Sequence, residues 1–476
     1  MIELTLTPNQ KQGQINSDPS SLALIREKFS ISNPAHRRNA RFVPKRLYAI
    51  TPSGKFEIGM LLDIVSYLQS EQLIYKVSDE LNKKFKVGFP EPKIKLYEMI
   101  YREHQEKSIN ALLKFGRGVV CIPTAGGKTF IMCGLIESFR INKSKPNAKA
   151  LVLVPSIQLV EQTSDDFKKY GMENVTKWSG DNIPDPNATT IVAGTQILLS
   201  DKTDLSLLND VDILLVDEVH GIRKNNEINK VMNLIETNHK FGFTGTMPPS
   251  LIDQWNIIGK IGPILYQEKT LDLKEKKYIS DFKLIILNLK HKNIPNFPYN
   301  QNRPSEVYEK ELEYLMNNQR RNEIICKLAD KLKSNTVIMC DRIDHGINIE
   351  TKLKEICGEE RPIYFIRGST EMEERERIRS LMDDRHDVIV VAISKIFSTG
   401  INIPNLHNII FASAGKAKIK IMQSIGRALR LHPTKQMATI FDISDNTKYG
   451  KKHLVDRELL YTSEKYNYEK KDIYTS

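Results

Sequence analysis

Cysteine, tryptophan and long apolar runs are scarce in this sequence, and each scarcity excludes a class of protein. The 476 residues include five cysteines and two tryptophans, and no two cysteines form a C-x-x-C pair. A secreted domain held by disulfides and a cysteine-based zinc site are therefore not indicated. The most apolar runs, such as ALVLVP (150–155), are long enough for a strand but too short for a bilayer. No basic stretch followed by an apolar one opens the chain, so neither secretion nor membrane insertion is expected.

What the sequence does contain is an ordinary globular composition with an excess of positive charge. Hydrophobic residues make up 40%, charged residues 27%, and the formal net charge is +12. A chain of this length exceeds one ordinary core, so two or three domains are expected. The basic balance favours a polyanionic partner. Between residues 26 and 46, seven Lys or Arg stand against the single acid Glu27. This segment is either a solvated surface or a patch that contacts phosphates.

Short apolar runs alternate with amphipathic stretches over two long parts of the chain. This rhythm is typical of α/β domains built on parallel sheets. The predicted strands of the first part are 118–122, 149–154, 189–194, 212–217 and 240–245, and those of the second are 336–340, 362–366, 387–392, 408–412 and 438–442. The charged stretch 272–281 separates the two parts. We predict a small basic α+β module over 1–92, α/β domains over 93–275 and 276–448, and a helical tail over 449–476.

The segment CIPTAGGKTF is similar to a phosphate-binding loop whose leading glycine has been replaced by isoleucine. Such a loop needs glycines where the backbone approaches phosphate oxygens at the start of a helix. Lys128 would bring a cation to the phosphates, and the Thr129 hydroxyl would face Mg²⁺. An apolar strand precedes the segment and an amphipathic helix follows it, which is the required context. The predicted loop consists of Pro123, Thr124, Ala125, Gly126 and Gly127, followed by Lys128 and Thr129.

An acidic pair and an arginine pair extend this interpretation. In LLVDEVH (214–220), Asp217 ends an apolar strand, where its carboxylate could hold Mg²⁺. Glu218 could orient and deprotonate an attacking water molecule. In QSIGRALR, Arg427 and Arg430 are three residues apart, which predicts that both project from one helix face. Such arginines stabilise charge on a transferring phosphoryl group, although the same pattern also fits a plain surface helix.

The motifs PTAGGKT, DEVH, TGT (244–246), FSTGIN (397–402) and QSIGRALR (423–430) occur in this order, and the resemblance that they carry runs from about residue 100 to 445. The set resembles motifs I, II, III, V and VI of the superfamily 2 helicases. In its details, such as YFIRGSTEMEERERI and AISKIFSTGINIPNL, the sequence resembles phage recombination helicases of the UvsW type. The resemblance implies two tandem RecA-like parallel-sheet domains preceded by a small α+β module. It also implies an ATP-dependent DNA helicase that remodels branched DNA in phage replication, recombination and repair.

The same resemblance implies roles for individual residues, with ATP and Mg²⁺ as cofactors. Gln105 would read the adenine edge, and Gly400 and Asn402 would lie near the ribose, although many relatives carry an acid at the latter position. Thr129 and Asp217 would hold the metal, and Gln423 would help to close the cleft between the two domains. The residues that would couple nucleotide state to strand contacts are His220, Thr244 and Thr246. The implied DNA contacts are Pro155, Ser156, Gly194, Thr195, Arg342, Gly368, Ser398, Arg37, Arg38 and Arg41.

The expected partner is branched or forked DNA bound with little sequence preference, because contacts to the backbone carry no base identity. A monomer in the cytoplasm of a phage host, without a membrane partner, is expected. Three alternatives stay open. A restriction-type translocase subunit would cleave DNA, an RNA helicase of the DExH type would respond to RNA, and a non-catalytic clamp would not hydrolyse ATP.

Overall fold

The computed structural model describes most of the chain, with short gaps. The described residues are 1–36, 43–95, 100–180, 182–201, 203–224, 226–297, 304–359, 361–400, 403, 405–413, 418–433 and 435–475. The chain divides into two compact units. Unit 1 contains Met1–Ile122 and Gly127–Glu268, and unit 2 contains Pro123–Gly126 and Lys269–Ser476. In the described ranges, no helix is long and apolar enough to cross a membrane.

The N-terminal part of unit 1 is a small α+β module with its own core. Its elements are β1 (Ile2–Leu6), β2 (Gly13–Asn16), α1 (Pro19–Lys28), β3 (Ser30–Ser32), β4 (Arg46–Tyr48), β5 (Lys55–Phe56), α2 (Leu61–Ser70), β6 (Tyr75–Val77) and α3 (Asp79–Phe85). Four strands form a sheet in the order β5-β2-β1-β6, and β3 pairs with β4. Leu4, Ile25 and Ile64 are fully buried in this core. The predicted α+β module is confirmed.

The rest of unit 1 is a parallel sheet of seven strands with helices between them. Its elements are α4 (Glu103–Phe115), β7 (Gly118–Cys121), α5 (Lys128–Lys143), β8 (Ala150–Val154), α6 (Ile157–Lys169), β9 (Val175–Trp178), β10 (Thr190–Gly194), β11 (Ile213–Val216), α7 (Glu227–Asn233), β12 (His239–Thr244), α8 (Leu251–Lys260) and β13 (Ile264–Gln267). The strand order is β13-β7-β12-β11-β8-β10-β9. The central strands are apolar on both faces because buried side chains pack against both, as expected for a covered parallel sheet.

Unit 2 repeats this design with a second seven-stranded parallel sheet. Its elements are α9 (Thr270–Glu275), β14 (Asp281–His291), α10 (Pro304–Asn317), α11 (Gln319–Lys331), β15 (Thr336–Cys340), α12 (Ile343–Cys357), β16 (Ile363–Ile366), α13 (Met372–Asp384), β17 (Ile389–Ile393), α14 (Ser394–Gly400), β18 (Asn408–Phe411), α15 (Lys418–Ala428), β19 (Met437–Asp445), α16 (Lys448–Ser463) and β20 (Tyr468–Thr475). The strand order is β16-β17-β15-β18-β19-β14-β20. All ten predicted strands are present, so the prediction of two parallel-sheet domains is confirmed.

The end of the chain differs from the prediction. The interpretation of 449–476 as a helical tail is wrong for its last part, because α16 ends at Ser463 and β20 pairs in parallel with β14. Asn288 Nδ2 on β14 donates to Asp472 Oδ1 on β20 over 2.7 Å. Pairing with a free sheet edge therefore outweighs the helical character of a charged, lysine-rich segment. The predicted domain boundaries stay predictions.

Candidate nucleotide-binding site

The predicted phosphate loop and the predicted acidic pair lie at one edge of the first sheet. The loop follows β7, Asp217 follows β11, and β12 lies between these two strands. Because the three strands are parallel, their carboxyl ends meet at the same edge, where open α/β sheets hold ligands. The backbone N–H of Ile122 donates to the carbonyl of Thr244 over 2.9 Å. This bond fixes the start of the loop to the end of β12.

The loop backbone leads directly into a long helix. Its turn closes where the N–H of Gly126 donates to the carbonyl of Pro123 over 2.8 Å. Gly127 has a left-handed φ of +81°, and α5 begins at Lys128. The first N–H groups of such a helix lack partners within it and favour an anion. A Cβ added at Gly127 would lie 2.4 Å from Gln105 Nε2, so only glycine leaves this space open. The backbone therefore fits a bound phosphate.

A cation and a carboxylate are buried together beside this loop. Lys128 is 7% exposed and Asp217 is 8% exposed. Burial, together with the nearby charge of Glu218, raises the pKa of Asp217 from 3.8 to about 6, even though Lys128 and His220 oppose the rise. A buried carboxylate that is poorly compensated by its surroundings suits a divalent cation. Together with the hydroxyl of Thr129, this donor set fits Mg²⁺.

The acidic pair is joined to the TGT motif by a series of short contacts. Glu218 has a left-handed φ of +52°, and its N–H donates to Asp217 Oδ1 over 2.9 Å. His220 Nδ1 lies 3.1 Å from Glu218 Oε2 and 3.0 Å from Thr244 Oγ1. Thr244 Oγ1 in turn donates to the carbonyl of Thr246 over 3.1 Å. The predicted coupling residues are thus in contact with each other and with the predicted catalytic acid.

Sequence reasoning did not anticipate the backbone conformation of Glu218. A left-handed conformation is costly for a residue with a Cβ and is retained mainly where the surroundings impose it, often at functional sites. Here it turns the chain directly after β11 and allows Glu218 Oε2 to reach His220. No residue in DEVH signals this conformation, since glycine and asparagine, the usual markers of a positive φ, are both missing from the motif.

Gln105 lies next to the phosphate loop, on the first turns of α4. It is buried, its Oε1 accepts from the backbone N–H of Arg102 over 2.9 Å, and its Nε2 faces Gly127. The amide is therefore held in one orientation at the mouth of the loop. Its role in reading the adenine edge stays a prediction.

The predicted strand-contacting residues of unit 1 occupy the same sheet edge. Pro155 and Ser156 follow β8, and Gly194 and Thr195 stand at the end of β10. Ser156 also caps α6, because its Oγ accepts from the N–H of Leu159 over 3.3 Å. Their location agrees with a ligand lying across the carboxyl ends of the strands, while the contacts themselves stay predictions.

In unit 2, the corresponding residues also follow parallel strands. Arg342 follows β15 and forms an ion pair with Glu309 over 2.8 Å, Gly368 follows β16, and Ser398 belongs to α14 after β17. Gly400 is the last residue of α14. Arg37, Arg38, Arg41 and Asn402 lie outside the described residues.

The arginine motif differs from the prediction in one respect. Arg427 lies near the end of α15 and is 6% exposed, and the backbone of Gln423 belongs to the same helix. The expectation that Arg427 and Arg430 share one helix face is wrong, because α15 ends at Ala428. Ser280 binds the backbone just after the helix end: its N–H donates to the carbonyl of Leu429 over 2.8 Å, and its Oγ donates to the carbonyl of Arg430 over 3.1 Å.

Comparisons with known proteins identify the family. Residues 98–249 match the family described as type III restriction enzyme, res subunit, and residues 319–432 match the helicase conserved C-terminal domain. The ATP-dependent DNA helicase UvsW of Enterobacteria phage T4 is 25% identical over 97% of this chain and 97% of its own length. The chain belongs to the superfamily 2 helicases. It is an ATP-hydrolysing helicase, as the motifs predict.

Other proteins resemble this superfamily 2 helicase over smaller shares of the compared chains. Putative helicase 22 of Sulfolobus islandicus filamentous virus is 26% identical over 75% of this chain and 66% of its own length. The solved structure of the type ISP restriction-modification enzyme LlaBIII bound to DNA is 14% identical, with a TM-score of 0.59. That match covers 87% of this chain and 34% of the larger enzyme. At this identity it shows a common fold alone.

Proposed function

We propose that this ATP-dependent helicase remodels branched DNA by fork regression, branch migration and unwinding during phage replication, recombination and repair. The single observation that carries the catalytic part is the burial of Lys128 and Asp217 together at the edge that holds the phosphate loop. The similarity to UvsW of phage T4 over 97% of both chains supports the choice of DNA as the substrate. A monomer in the host cytoplasm is the form that we expect to act.

Within unit 1, each residue of the site would have a distinct role toward ATP. Lys128 and the first N–H groups of α5 would bind the phosphates, and Thr129 and Asp217 would hold Mg²⁺. A bound Mg²⁺ would supply positive charge that offsets the charge of the phosphates. Glu218 would orient the attacking water and accept its proton at a carboxylate oxygen. Gln105, held by Arg102, would select adenine.

We further propose that the arginine motif of unit 2 completes the reaction. Arg427 and Arg430 would stabilise the charge that develops on the transferring phosphoryl group. Gln423 would help to close the cleft, and Gly400 and Asn402 would lie near the ribose. This part of the proposal rests on the match of residues 319–432 to the helicase C-terminal family.

The contacts around His220 suggest how hydrolysis would change the grip on DNA. Loss of the terminal phosphate alters the environment of Glu218, which contacts His220, which contacts Thr244. Thr244 ends β12, and the predicted strand contacts Pro155, Ser156, Gly194 and Thr195 end neighbouring strands of the same sheet. The N-terminal module, with Arg37, Arg38 and Arg41, would choose the branched substrate. Little sequence preference is expected, because such contacts are made to the backbone.

The test is an assay of ATP hydrolysis and strand separation with single-stranded DNA, forked DNA, a four-way junction and RNA. We expect stimulation by DNA, with the junction or fork processed best, and little stimulation by RNA. Lys128→Ala should abolish turnover while leaving DNA binding largely intact. Undiminished hydrolysis in that variant would reject the site, and stronger stimulation by RNA would reject the substrate.

A second candidate, a restriction-type translocase subunit, is favoured by the family description matched over residues 98–249. The two candidates differ in their DNA products. Metal-dependent cleavage of DNA by the purified chain would support the restriction role, whereas intact strands after prolonged incubation with ATP and Mg²⁺ would support remodelling.

A further inference from the structure

A cavity of about 710 Å³ lies in unit 1, between the N-terminal module and the first sheet. Its walls come from the β1–β2 turn, the segment between β5 and α2, the end of α3, the segment before β7, the connection from α7 to β12 and the end of α8. Two of these segments, the one before β7 and the one that leads into β12, lie at the amino ends of those strands. The cavity is therefore at the opposite edge of the sheet from the phosphate loop and the acidic pair. Neither the ATP site nor the predicted strand contacts use it.

The charges that line this cavity are unbalanced. Five cations line it, namely Lys11, Lys84, Arg117, Lys240 and Lys260, against the two carboxylates Glu57 and Glu236, which leaves an excess of three positive charges. Lys11 pairs with Glu236 over 3.0 Å at the exposed rim. Lys260 Nζ lies 2.9 Å from Glu57 Oε1. After these two pairs, Lys84, Arg117 and Lys240 still face the same space.

The cations of this cavity disfavour each other's charged form. Burial, together with the nearby charges of Arg117 and Lys260, lowers the pKa of Lys240 from 10.5 to about 7. Burial also lowers the pKa of Arg117 to about 10. Arg117 has a structural role, since its Nε donates to the carbonyl of Ile261, just past the end of α8, over 2.8 Å. Lys240 has a smaller structural role, since in the described part of the chain its Nζ donates to one backbone carbonyl, that of Ile235. This bond does not account for the presence of Lys84 beside it.

A bound anion would offset this repulsion. Like charges in a partly buried space are unfavourable unless a counter-charge enters or one of the groups loses its proton, and a phosphate group, with up to two negative charges and several acceptor oxygens, would keep Lys240 protonated. The volume is also within the range of sites for ligands of nucleotide size, and exceeds what a bare phosphate needs. Asn233, Thr237 and Asn238 add polar groups to the wall.

We infer that this cavity binds the phosphate groups of a phosphorylated ligand, at a site separate from the ATP site and bridging the N-terminal module to the first α/β domain. The phosphates come either from a DNA backbone or from a free phosphorylated compound, and the chemistry of recognition is the same for both. The inference rests on the cavity and its charges, and it holds whether or not the chain remodels branched DNA.

The test uses the full chain carrying Lys128→Ala, so that the phosphate loop does not contribute. Pyrophosphate is titrated at constant ionic strength against sodium chloride, and the melting temperature is followed. We expect pyrophosphate to raise it by on the order of 5 °C at saturation. Adding Lys84→Gln and Lys240→Met should remove this rise, while melting without the anion stays the same or improves because repulsion is relieved. A matched control pair, Lys55→Gln and Lys76→Met, removes two lysines of the module that do not line the cavity.

A second measurement separates the two sources of phosphate. If DNA is the ligand, the Lys84→Gln and Lys240→Met pair should weaken duplex binding several-fold and reduce its salt dependence, which the control pair should not do. If a free phosphorylated compound is the ligand, duplex binding is unchanged while the pyrophosphate response is lost. Should the double variant fail to fold, Lys84→Gln alone is used, since this side chain is only half-buried. Equal responses to pyrophosphate and chloride, together with unchanged duplex binding in the variant, would overturn the inference.

Discussion

Replacing Asp217 by asparagine should stabilise unit 1 while abolishing ATP hydrolysis. The carboxylate is buried, and its pKa is raised from 3.8 to about 6 because burial and the charge of Glu218 both disfavour ionisation. Asparagine keeps the acceptor oxygen that Glu218 N–H uses over 2.9 Å, so the local hydrogen bond survives. The variant loses the buried charge and also the proposed metal ligand. Stability and activity should therefore move in opposite directions.

The magnitude and its pH dependence follow from the pKa. A folded-state pKa above the unfolded value means that the folded state binds more protons between pH 4 and 6, so wild-type stability falls as pH rises through this window. The difference between 3.8 and about 6 corresponds to about 3 kcal/mol as an upper value. The side-chain amide of the variant does not titrate. The advantage of the variant should therefore be about 1 kcal/mol at pH 4.5 and approach its full value, on the order of 2–3 kcal/mol, at pH 8.

The assay is denaturant unfolding of both proteins without nucleotide at pH 4.5 and pH 8, with ATP turnover measured in parallel. Asp253→Asn, which removes a partly buried partner of Arg223 in the same unit, serves as a control and should not gain stability. A variant that is less stable than the wild type at pH 8, or an advantage of the same size at both pH values, would refute the reasoning.

Three further substitutions test separate parts of the account. Gly127→Ala should raise the KM for ATP at least tenfold, because the added Cβ would clash with Gln105. Gly171→Ala is the control: its φ is also left-handed but open space surrounds it, so KM should stay unchanged. Equal effects of the two substitutions would contradict the proposed phosphate-binding role of Gly127. Thr244→Val removes the contact with His220 and should retain most ATP turnover, while the strand separation per ATP hydrolysed falls about tenfold. If turnover and strand separation fell by the same factor, these residues would not couple hydrolysis to strand contacts. Asp442→Asn should destabilise unit 2 by about 3–5 kcal/mol in denaturant unfolding, because Arg457 and Tyr461 both donate to that buried carboxylate. The control, Asp387→Asn, breaks an exposed ion pair with Arg385 and should cost less than about 1 kcal/mol.

Most interior strands of both sheets were predictable, whereas the interior strand β14 and several edge strands were not predicted. Runs such as 150–154 and 389–393 are apolar throughout because both faces are covered, and this signal is local. The edge strands β9, β13 and β20 carry mixed residues, and β20 becomes a strand only through β14, which lies far away in the sequence. Long-range pairing of this kind leaves no local pattern.

In the candidate nucleotide-binding site too, some features were predictable from the sequence and others were not. Motif spacing and strand ends were enough to predict that Lys128 and Asp217 would meet, since parallel strands bring their carboxyl ends together. The positive φ of Glu218 and the end of α15 before Arg430 depend on tertiary contacts and were not predictable. The cationic cavity is assembled from six separate segments, so its charge excess is visible only after folding.

The central proposal is that residues of both α/β domains act on one ATP molecule, and Arg427 tests it most directly. The measurement is the DNA-stimulated turnover of Arg427→Ala compared with Arg320→Ala, an exposed arginine of unit 2 paired with Glu323. The account predicts a loss on the order of 10³-fold for Arg427→Ala, with normal unfolding of unit 2 and unchanged turnover in the control. A loss below about threefold would show that Arg427 only packs within its own domain, which would contradict the claim.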